Sequence, residues 1–362
     1  MQGALIDAEG VRRGYVRLRH GRIVETGAIG TDSSRGRETR RRGIVLPPSV
    51  NAHTHLGDAV ASAEPMAGPL SRIVAPPDGL KFRILRDTPG PLKEAAMRRA
   101  LAGAAAGGTG AVVDFREEGI AGTEALRRAA RGLPIRAVAL GRPLRRPVDP
   151  GELDRLLGAA DGVGLSSARE EDAAARAAVA RACRRLGKRY ALHASETVRE
   201  PVDDYLRPRP DLLVHMSRAT PEDLQAVAAA GVPVAVCPRS NALFGRFPDL
   251  AGFGRAGVRF FLGTDNAMFE APSMFRELEF AYTAARLRRR PVAPELLLRA
   301  AFLAPWEWLG APAVARLTEA NPVAPVVLAL PEEHPEYQVV ARGSENLMWP
   351  RPAPGGAGGV AS

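Results

Sequence analysis

The sequence predicts an α/β protein: a closed (β/α)8 TIM barrel with a small, sandwich-like β-sheet domain beside it. Eight short apolar runs alternate with alanine-rich helical segments over roughly 250 residues, and this alternation favours a closed parallel barrel over an open sheet. Before residue 46 and after about residue 310 the alternation is absent, and short strand-like runs separated by turns take its place. We therefore expect a barrel over 47–310 and a small β domain that combines 1–46 with 311–350.

The barrel strands are predicted from apolar runs that are bounded by turn signals. The first leads from the run 44–46 past two prolines towards His53, and the other seven lie at 111–115, 135–140, 163–165, 190–192, 212–214, 232–236 and 258–262. Helices are predicted over 91–106, 169–187, 220–230 and 272–289. Outside the barrel, the runs 326–330 and 339–340 are expected to pair with the N-terminal strands, and the tail 351–362, rich in Pro, Gly and Ala, is expected to be disordered.

Composition excludes several classes of protein. The N-terminus lacks a charged segment followed by an apolar one, and no run approaches the roughly 18 apolar residues of a membrane span, so we expect a cytoplasmic protein without a membrane partner. Cys183 and Cys237 are too few for a disulfide framework or a paired-cysteine zinc site, which argues against the zinc deaminases that edit nucleic acids. The net charge of +10 rests on arginines spread along the chain, and the denser runs at 35–42 and 286–290 contain no interleaved aromatic residues, so no nucleic-acid partner is expected.

Two histidines follow the first barrel strand, in the stretch N-A-H-T-H-L-G-D over 51–58. Side chains two apart on a strand point to the same face, so His53 and His55 can bind one metal ion from neighbouring positions. The alternative is that the two histidines only share a face of the strand. The pair by itself leaves both interpretations open.

Further histidines and a carboxylate follow other strands, at the end of the barrel where chemistry is found. His193 follows the fifth strand, His215 the sixth and Asp265 the eighth, so four of the six histidines fall at strand ends. Three neutral imidazoles with one carboxylate suit a borderline-soft divalent ion such as zinc. The pattern therefore predicts a metal site at the carboxyl ends of the strands.

Glu196 lies three residues after His193 and is placed to move protons between water and a substrate. A bound metal ion lowers the pKa of its water from about 15.7 to about 7, and proton transfer then requires a carboxyl group within reach of the substrate. The alternative role for Glu196 is that of a carboxylate at the start of a helix.

Four motifs together are similar to those of the amidohydrolase superfamily, in particular its cytosine deaminase-like and ATZ/TRZ-type aminohydrolases. In chain order the motifs are N-A-H-T-H at 51–55, H-A-S-E at 193–196, C-P-R-S-N at 237–241 and G-T-D-N at 263–266. The resemblance covers most of the chain, roughly 44–285. It departs from the family pattern at 319–325, which lacks the usual glycine-containing lead into a G-x-x-A-D-L run; this leaves open whether the small sheet is complete and does not affect the active site.

The resemblance implies a role for each matching residue. The residues that would hold the metal are His53, His55, His193 and Asp265. Asp265 would also accept a proton from the metal-bound water, which His215 would orient, and Glu196 would act as acid and base on a ring nitrogen of the substrate. Because the fourth strand ends in L-S-S at 165–167 and offers no lysine to carboxylate, one divalent ion is implied, with zinc favoured over iron.

The leading hypothesis is a metal-dependent aminohydrolase, a deaminase in which metal-bound hydroxide attacks an amino-bearing carbon of a heterocycle and ammonia leaves. The H-x-x-E carboxylate favours it, because an amidine-like ring needs protonation before attack. One alternative is a related hydrolase that breaks another C–N bond or a C–halide bond. Another is a catalytically silent barrel scaffold, which the complete ligand set argues against. The expected partner is a small-molecule substrate, and a homodimer is the assembly that we consider.

Basic side chains after the second and third barrel strands indicate an anionic group on the substrate. Arg116 and Arg142 fall at the metal-bearing mouth, and an arginine fork binds carboxylate or phosphate in bidentate fashion. Lys81 would add a third positive charge, and Asn266 is assigned to the substrate site as well. The alternative for Arg116 is a salt bridge with one of the two glutamates that follow it.

Overall fold

The computed structural model describes residues 1–29, 41–62, 68–74, 79–169, 171–345 and 347–348. The strands are β1 Gln2–Asp7, β2 Gly10–Arg19, β3 Arg22–Gly27, β4 Arg42–Leu46, β5 Ser49–His55, β6 Thr109–Arg116, β7 Arg136–Gly141, β8 Gly162–Leu165, β9 Arg189–Ala194, β10 Leu212–His215, β11 Val234–Val236, β12 Phe260–Leu262, β13 Asp265–Asn266 and β14 Val326–Leu328. The helices are α1 Leu70–Val74, α2 Leu80–Asp87, α3 Gly90–Ala106, α4 Gly119–Ala130, α5 Pro150–Ala159, α6 Ala173–Arg185, α7 Val202–Leu206, α8 Pro221–Ala229, α9 Pro238–Leu243, α10 Leu250–Ala256, α11 Met274–Leu287, α12 Pro294–Leu298, α13 Ala304–Trp308 and α14 Pro335–Arg342. None of these helices is both long and apolar enough to cross a membrane.

Nine parallel strand segments form one sheet, in the order β12-β11-β10-β9-β8-β7-β6-β5-β13. Only Gly263 and Thr264 separate β12 from β13, so the two segments form one interrupted strand. Its second segment pairs with β5 and closes the sheet into a barrel. Helices follow the strands along the chain, and the predicted (β/α)8 barrel is thereby confirmed.

The strand that carries the first two histidines begins later than the apolar run before it. The run 44–46 belongs to β4, which pairs with β1 and β14 in a separate sheet. Pro47 and Pro48 lack backbone N–H donors, so strand pairing stops between β4 in the small sheet and β5 in the barrel. The barrel strand β5 then begins at Ser49 and contains both histidines.

A β-bulge in β5 turns these histidines into the barrel. Asn51 pairs with Val112, and Thr54 pairs with the residue only two further along β6, so β5 contains one extra residue here. An extra residue of this kind re-aims the side chains that follow it. Ala52 belongs to the apolar interior, and because of the bulge its neighbour His53 also faces the barrel centre.

The outer face of the strands packs against the helices. Leu192 of β9 and Leu213 of β10 lie in the largest buried cluster together with Val179 of α6 and Leu224 of α8. Neighbouring residues on a strand point to opposite faces, so the outward Leu192 directs His193 into the barrel.

Trp306 of α13 packs into the apolar interior at the amino end of the strands. Its indole Nε1 donates a hydrogen bond of 2.8 Å to the carbonyl of Pro48, and the side chain is 2% exposed. The indole shares a buried cluster with Val50, Ala111 and Phe261, which belong to three barrel strands. It therefore closes the end of the barrel opposite the histidines and holds the entry into β5.

The small sheet has five strands in the order β14-β4-β1-β2-β3. β1 runs parallel to β4, and the other neighbours are antiparallel. The N-terminal strands thus pair with one C-terminal strand, which lies within the predicted run 326–330. The predicted disordered tail 351–362 lies outside the described residues.

The second C-terminal run was expected to be a strand, and this prediction is wrong. Val339 and Val340 lie in α14, where both are fully buried in one cluster with Phe275 of α11. Two adjacent apolar residues suit a buried helix face as well as a strand, so the pattern was ambiguous. Pro335 at the first turn of α14 favours the helix.

We expect Trp306→Phe to lower the free energy of unfolding by about 1–3 kcal/mol, because the buried Pro48 carbonyl would lose its donor. Trp308→Phe is the matched control. Its indole also donates to a carbonyl, that of Asp211 at 2.9 Å, but in an exposed position where water can replace the donor, so a loss below about 1 kcal/mol is expected. Denaturant titrations of both variants measure the difference, and equal losses would contradict the role given to Trp306.

Candidate metal centre

Side chains from three separate strands meet at the carboxyl end of the barrel. His53 Nε2 lies 3.2 Å from Nε2 of His193 and 3.2 Å from Oδ1 of Asp265. His55 Nε2 lies 3.6 Å from the same Asp265 oxygen. The structure thus brings together the four residues that the sequence analysis assigns to the metal.

The second ring nitrogen of His55 faces a carboxylate. Nδ1 lies 3.1 Å from Oε1 of Glu117, which follows β6 directly. Burial and the ammonium of Lys81 lower the pKa of His55, but the carboxylates of Glu117 and Asp265 outweigh them and raise it. An ionised carboxylate only accepts hydrogen bonds, so Nδ1 carries a proton in this contact, and Nε2 is the nitrogen that faces the other candidate ligands.

Burial keeps two of the imidazoles neutral. It lowers the pKa of His53 to about 3, and burial together with the neighbouring histidines lowers the pKa of His193 well below its usual value. Burial alone would raise the pKa of Asp265, but its close contact with His53 and the nearby His215 outweigh it and hold that pKa well below its usual value. At neutral pH the cluster therefore combines neutral imidazoles with an ionised carboxylate.

This donor set fits one divalent ion. Nδ1 of His193 donates to the carbonyl of Leu165 at 2.9 Å, so its Nε2 carries a lone pair directed at His53. Two nitrogen atoms that face each other in this way repel unless a proton or a cation lies between them. Two groups of three candidate ligands share His53, and within each group the ligand atoms lie within 4.8 Å of one another. One group adds His193 and His215, and the other adds His55 and Asp265. Imidazole and carboxylate donors in this combination suit zinc.

Glu196 and His215 lie at the open side of the cluster. His215 Nε2 is 3.9 Å from Oε2 of Glu196, and its Nδ1 is 3.2 Å from the side-chain nitrogen of Asn241. The Glu196 side chain is 25% exposed, whereas those of His53 and Asp265 are 0% and 11% exposed. Glu196 is therefore the most accessible carboxylate of the cluster.

Three contacting side chains were not predicted. Ser240 Oγ donates to Oδ2 of Asp265 at 2.6 Å, and Asn241 contacts His215. Both lie in the C-P-R-S-N motif, which was their signal in the sequence. Arg246 Nη1 lies 3.4 Å from Oε1 of Glu196, and no pattern in the sequence indicated it.

The backbone at the site adopts left-handed conformations at non-glycine residues. Ser195 has φ of 46°, His215 of 72° and Asp265 of 62°. Such conformations cost about 1–3 kcal/mol each and persist where the surrounding structure holds them. They aim the side chains that follow β9, β10 and β12 in directions that a regular strand would not give.

The structure corrects two of the predicted substrate contacts. The Arg116 side chain is 1% exposed, and its Nη2 lies 2.8 Å from Glu117 Oε2 and its Nη1 3.3 Å from Asp114 Oδ2. A Cβ atom at position 57 would overlap this guanidinium, which only glycine accommodates there. Lys81 is 4% exposed and lies between two carboxylates, 2.5 Å from Glu117. Neither cation faces a substrate, and the salt bridge considered as the alternative for Arg116 is confirmed.

The two remaining substrate candidates differ in burial. Arg142 is half-buried, with its guanidinium 5.8 Å from the ring centre of Phe82, and burial lowers its pKa. Asn266 is buried beside His55 in the β5–β13 pairing, and its Oδ1 accepts a hydrogen bond from the backbone of Met268 at 2.9 Å. Arg142 remains a candidate for a substrate contact, while Asn266 has a structural bond to its own loop.

Residues 44–208 match the family model described as Amidohydrolase family. A candidate aminohydrolase from Methanothermobacter thermautotrophicus is 35% identical over 278 residues, which cover 71% of this chain and 72% of that protein. This similarity extends well beyond the part that the family model matches.

Two solved structures share the fold. A zinc-bound adenosine deaminase from Xanthomonas campestris has a TM-score of 0.73 at 19% identity, with 93% of this chain and 87% of that chain covered. The atrazine chlorohydrolase of Arthrobacter aurescens, also with zinc, has a TM-score of 0.75 at 19% identity, with 93% and 89% covered. The family model, the relative that matches over most of its length and the shared barrel together show that the chain is a hydrolase of the amidohydrolase family.

Proposed function

We propose that the protein is a deaminase that replaces an amino group on a heterocycle by oxygen and releases ammonia, with one divalent metal ion as cofactor. The observation that carries this proposal is the position of Glu196. Its carboxylate lies at the open side of the histidine cluster, 3.9 Å from His215, where a substrate ring would meet both groups. Ring protonation is the step that separates deamination from simpler hydrolysis, and it needs such a group.

We assign the metal to His53, His55, His193 and Asp265, whose nitrogen and oxygen atoms converge without a protein cation between them among the described residues. Zinc is the favoured ion. When bound, such an ion acts as a Lewis acid and lowers the pKa of a coordinated water from about 15.7 to about 7.

The proposed proton transfers use three side chains. Asp265, ionised at neutral pH, would accept a proton from the attacking water, and Ser240 holds its other oxygen. His215 would orient that water through Nε2, since Asn241 engages its Nδ1. Glu196 would donate a proton to the ring nitrogen. Asp265 would pass its proton to the amino group, which leaves as ammonia when the carbon–nitrogen bond breaks, and the new hydroxyl group would return a proton to Glu196 as the carbonyl forms.

Hydrolysis of a carbon–halogen bond is the second candidate, because the fold is shared with a chlorohydrolase. The two reactions differ in their leaving group and in their need for ring protonation. A silent scaffold is disfavoured, because the four ligands assigned to the metal are all present and lie together.

The substrate class is proposed from the charge at the mouth. Arg142 directly follows β7, at the same end of the barrel as the cluster, and Arg246 is 12% exposed with its guanidinium 3.4 Å from Glu196. We infer that the heterocycle carries a carboxylate or phosphate that Arg142 engages. Arginine binds such groups through two parallel hydrogen bonds, and partial burial strengthens them.

We expect about one tightly bound divalent ion per chain, measured by elemental analysis after dialysis. A further group of candidate ligands, His55, Asp58 and Glu117, already holds the ammonium of Lys81, 2.8 Å from Asp58. His193→Ala should lose the ion, because the alanine side chain has no nitrogen lone pair with which to bind it. Two retained ions per wild-type chain would contradict the single site.

We expect Glu196→Gln to retain the metal and to lose turnover by roughly 10²- to 10⁴-fold, because the amide cannot donate a proton to the ring. The assay is ammonia release from a panel of amino-heterocycles, with chloride release from halogenated analogues measured in parallel. Loss of the metal in this variant would make Glu196 a ligand, and chloride release without ammonia release would favour the second candidate.

We expect Arg142→Met to raise KM for an anionic amino-heterocycle by roughly ten- to a hundredfold, the loss of about 1.5–3 kcal/mol for a charged hydrogen bond. Arg145→Met is the matched control, because Arg145 is exposed in the same loop. Neutral substrates should be unaffected by either change. Equal turnover of neutral and charged heterocycles by the wild type would refute the anionic group.

A further inference from the structure

A chain of buried charges lies behind His55, on the side away from the other ligands. Glu117 stands at its centre, and both of its carboxylate oxygens are engaged. Oε1 lies 3.1 Å from His55 Nδ1 and 2.5 Å from Lys81 Nζ, and Oε2 lies 2.8 Å from Arg116 Nη2. Charge-assisted hydrogen bonds of this kind are the strong ones, and they leave the carboxylate one orientation.

The elements that supply these partners are separate in the chain. Lys81 comes from the first turn of α2, Arg116 ends β6 and His55 ends β5. The side chains of Glu117, Lys81 and Arg116 are 7%, 4% and 1% exposed. Burial of so many charges is costly unless each is paired, and here each cation has two carboxylate neighbours, with Asp58 and Asp114 as the outer ones.

We propose that Glu117 is a positioning residue for the metal centre, which holds the proton of His55 on Nδ1 so that the Nε2 lone pair faces the ion. Lys81 and Arg116 are the groups that hold Glu117 in place. A carboxylate on the second nitrogen of a ligating histidine fixes the ring orientation and raises the basicity of the ligand. This inference rests on the proposed metal site and does not depend on the identity of the substrate.

The same arrangement explains why two predicted substrate contacts are absent from the mouth. Lys81 and Arg116 point away from the cluster and towards Glu117, so their positive charge stabilises a carboxylate and not a substrate anion. The cost of removing one member is expected to be large, because each partner would then be a buried unpaired charge.

The test is the zinc dissociation constant of Glu117→Gln, measured on metal-free protein by competition with a chromophoric chelator. We expect it to rise roughly ten- to a hundredfold. Glu118→Gln is the matched control: Glu118 is the next residue, is more exposed and pairs with its own lysine, Lys93, away from the histidines. The control should stay within about twofold of the wild type.

A second variant separates geometry from charge. Glu117→Asp retains the charge that Lys81 and Arg116 need, but its shorter side chain withdraws from His55, so the dissociation constant should rise here as well. This variant also serves if the glutamine variant does not fold. Cobalt-substituted protein gives a spectroscopic readout, because altered ligation by His55 should change the visible d–d bands of the cobalt ion. If Glu117 only stabilises the fold, these bands should be the same in the variants and the wild type.

The outcomes are distinct. Wild-type zinc constants for folded Glu117→Gln and Glu117→Asp, with an unchanged cobalt spectrum, would overturn the proposal. If instead the wild type binds zinc tightly but releases no ammonia, the proposed function fails while the positioning role of Glu117 is still tested by the zinc constants. Raised zinc dissociation constants in both Glu117 variants, with that of Glu118→Gln unchanged, support the role.

Discussion

Closure of the barrel between β5 and β13 is the constraint on which the rest of the site depends. Asn51 forms reciprocal hydrogen bonds across this seam: its side-chain nitrogen donates to Thr264 Oγ1 at 2.8 Å, and its oxygen accepts from the Thr264 backbone at 3.0 Å. The seam pairs Asp265 with Thr54, between the two histidines of β5. Without it, the carboxylate of Asp265 would not lie beside the imidazoles of His53 and His55, which precede it by more than 200 residues in the chain.

The protonation of the clustered histidines is controlled in two different ways. Burial holds His53 and His193 neutral, so that their lone pairs are available, and Asp265 stays ionised in the same surroundings. In contrast, His55 faces Glu117 and gains a favoured proton on Nδ1. One candidate ligand is thus influenced by a carboxylate and the others by burial or a carbonyl, which makes the four candidate donors chemically unequal.

Local strain at the strand ends accompanies this arrangement. The left-handed backbone at Ser195, His215 and Asp265 and the bulge before Thr54 all lie beside or within the strand ends that carry the candidate functional side chains. In a regular strand, alternate side chains point into the barrel and towards the helices. The bulge and the left-handed residues interrupt this alternation and change the direction of the side chains at the site. The barrel is closed at its opposite end by Trp306, which packs against residues of three barrel strands.

The sequence by itself determined the barrel and the identity of the clustered residues, because strand and helix periodicity are local and because His53, His55, His193 and Asp265 all follow apolar runs. It could not determine how deeply each charged side chain is buried. Arg116 and Lys81 were expected at the mouth, and only tertiary packing decided that they lie beneath it, since an arginine at a strand end can turn either way. The helical conformation at Val339 could not be predicted for a similar reason, because the residues of α11 that bury it are distant in the sequence. Local pattern specifies which elements form, whereas the direction of a long charged side chain depends on which carboxylates the closed barrel brings within its reach.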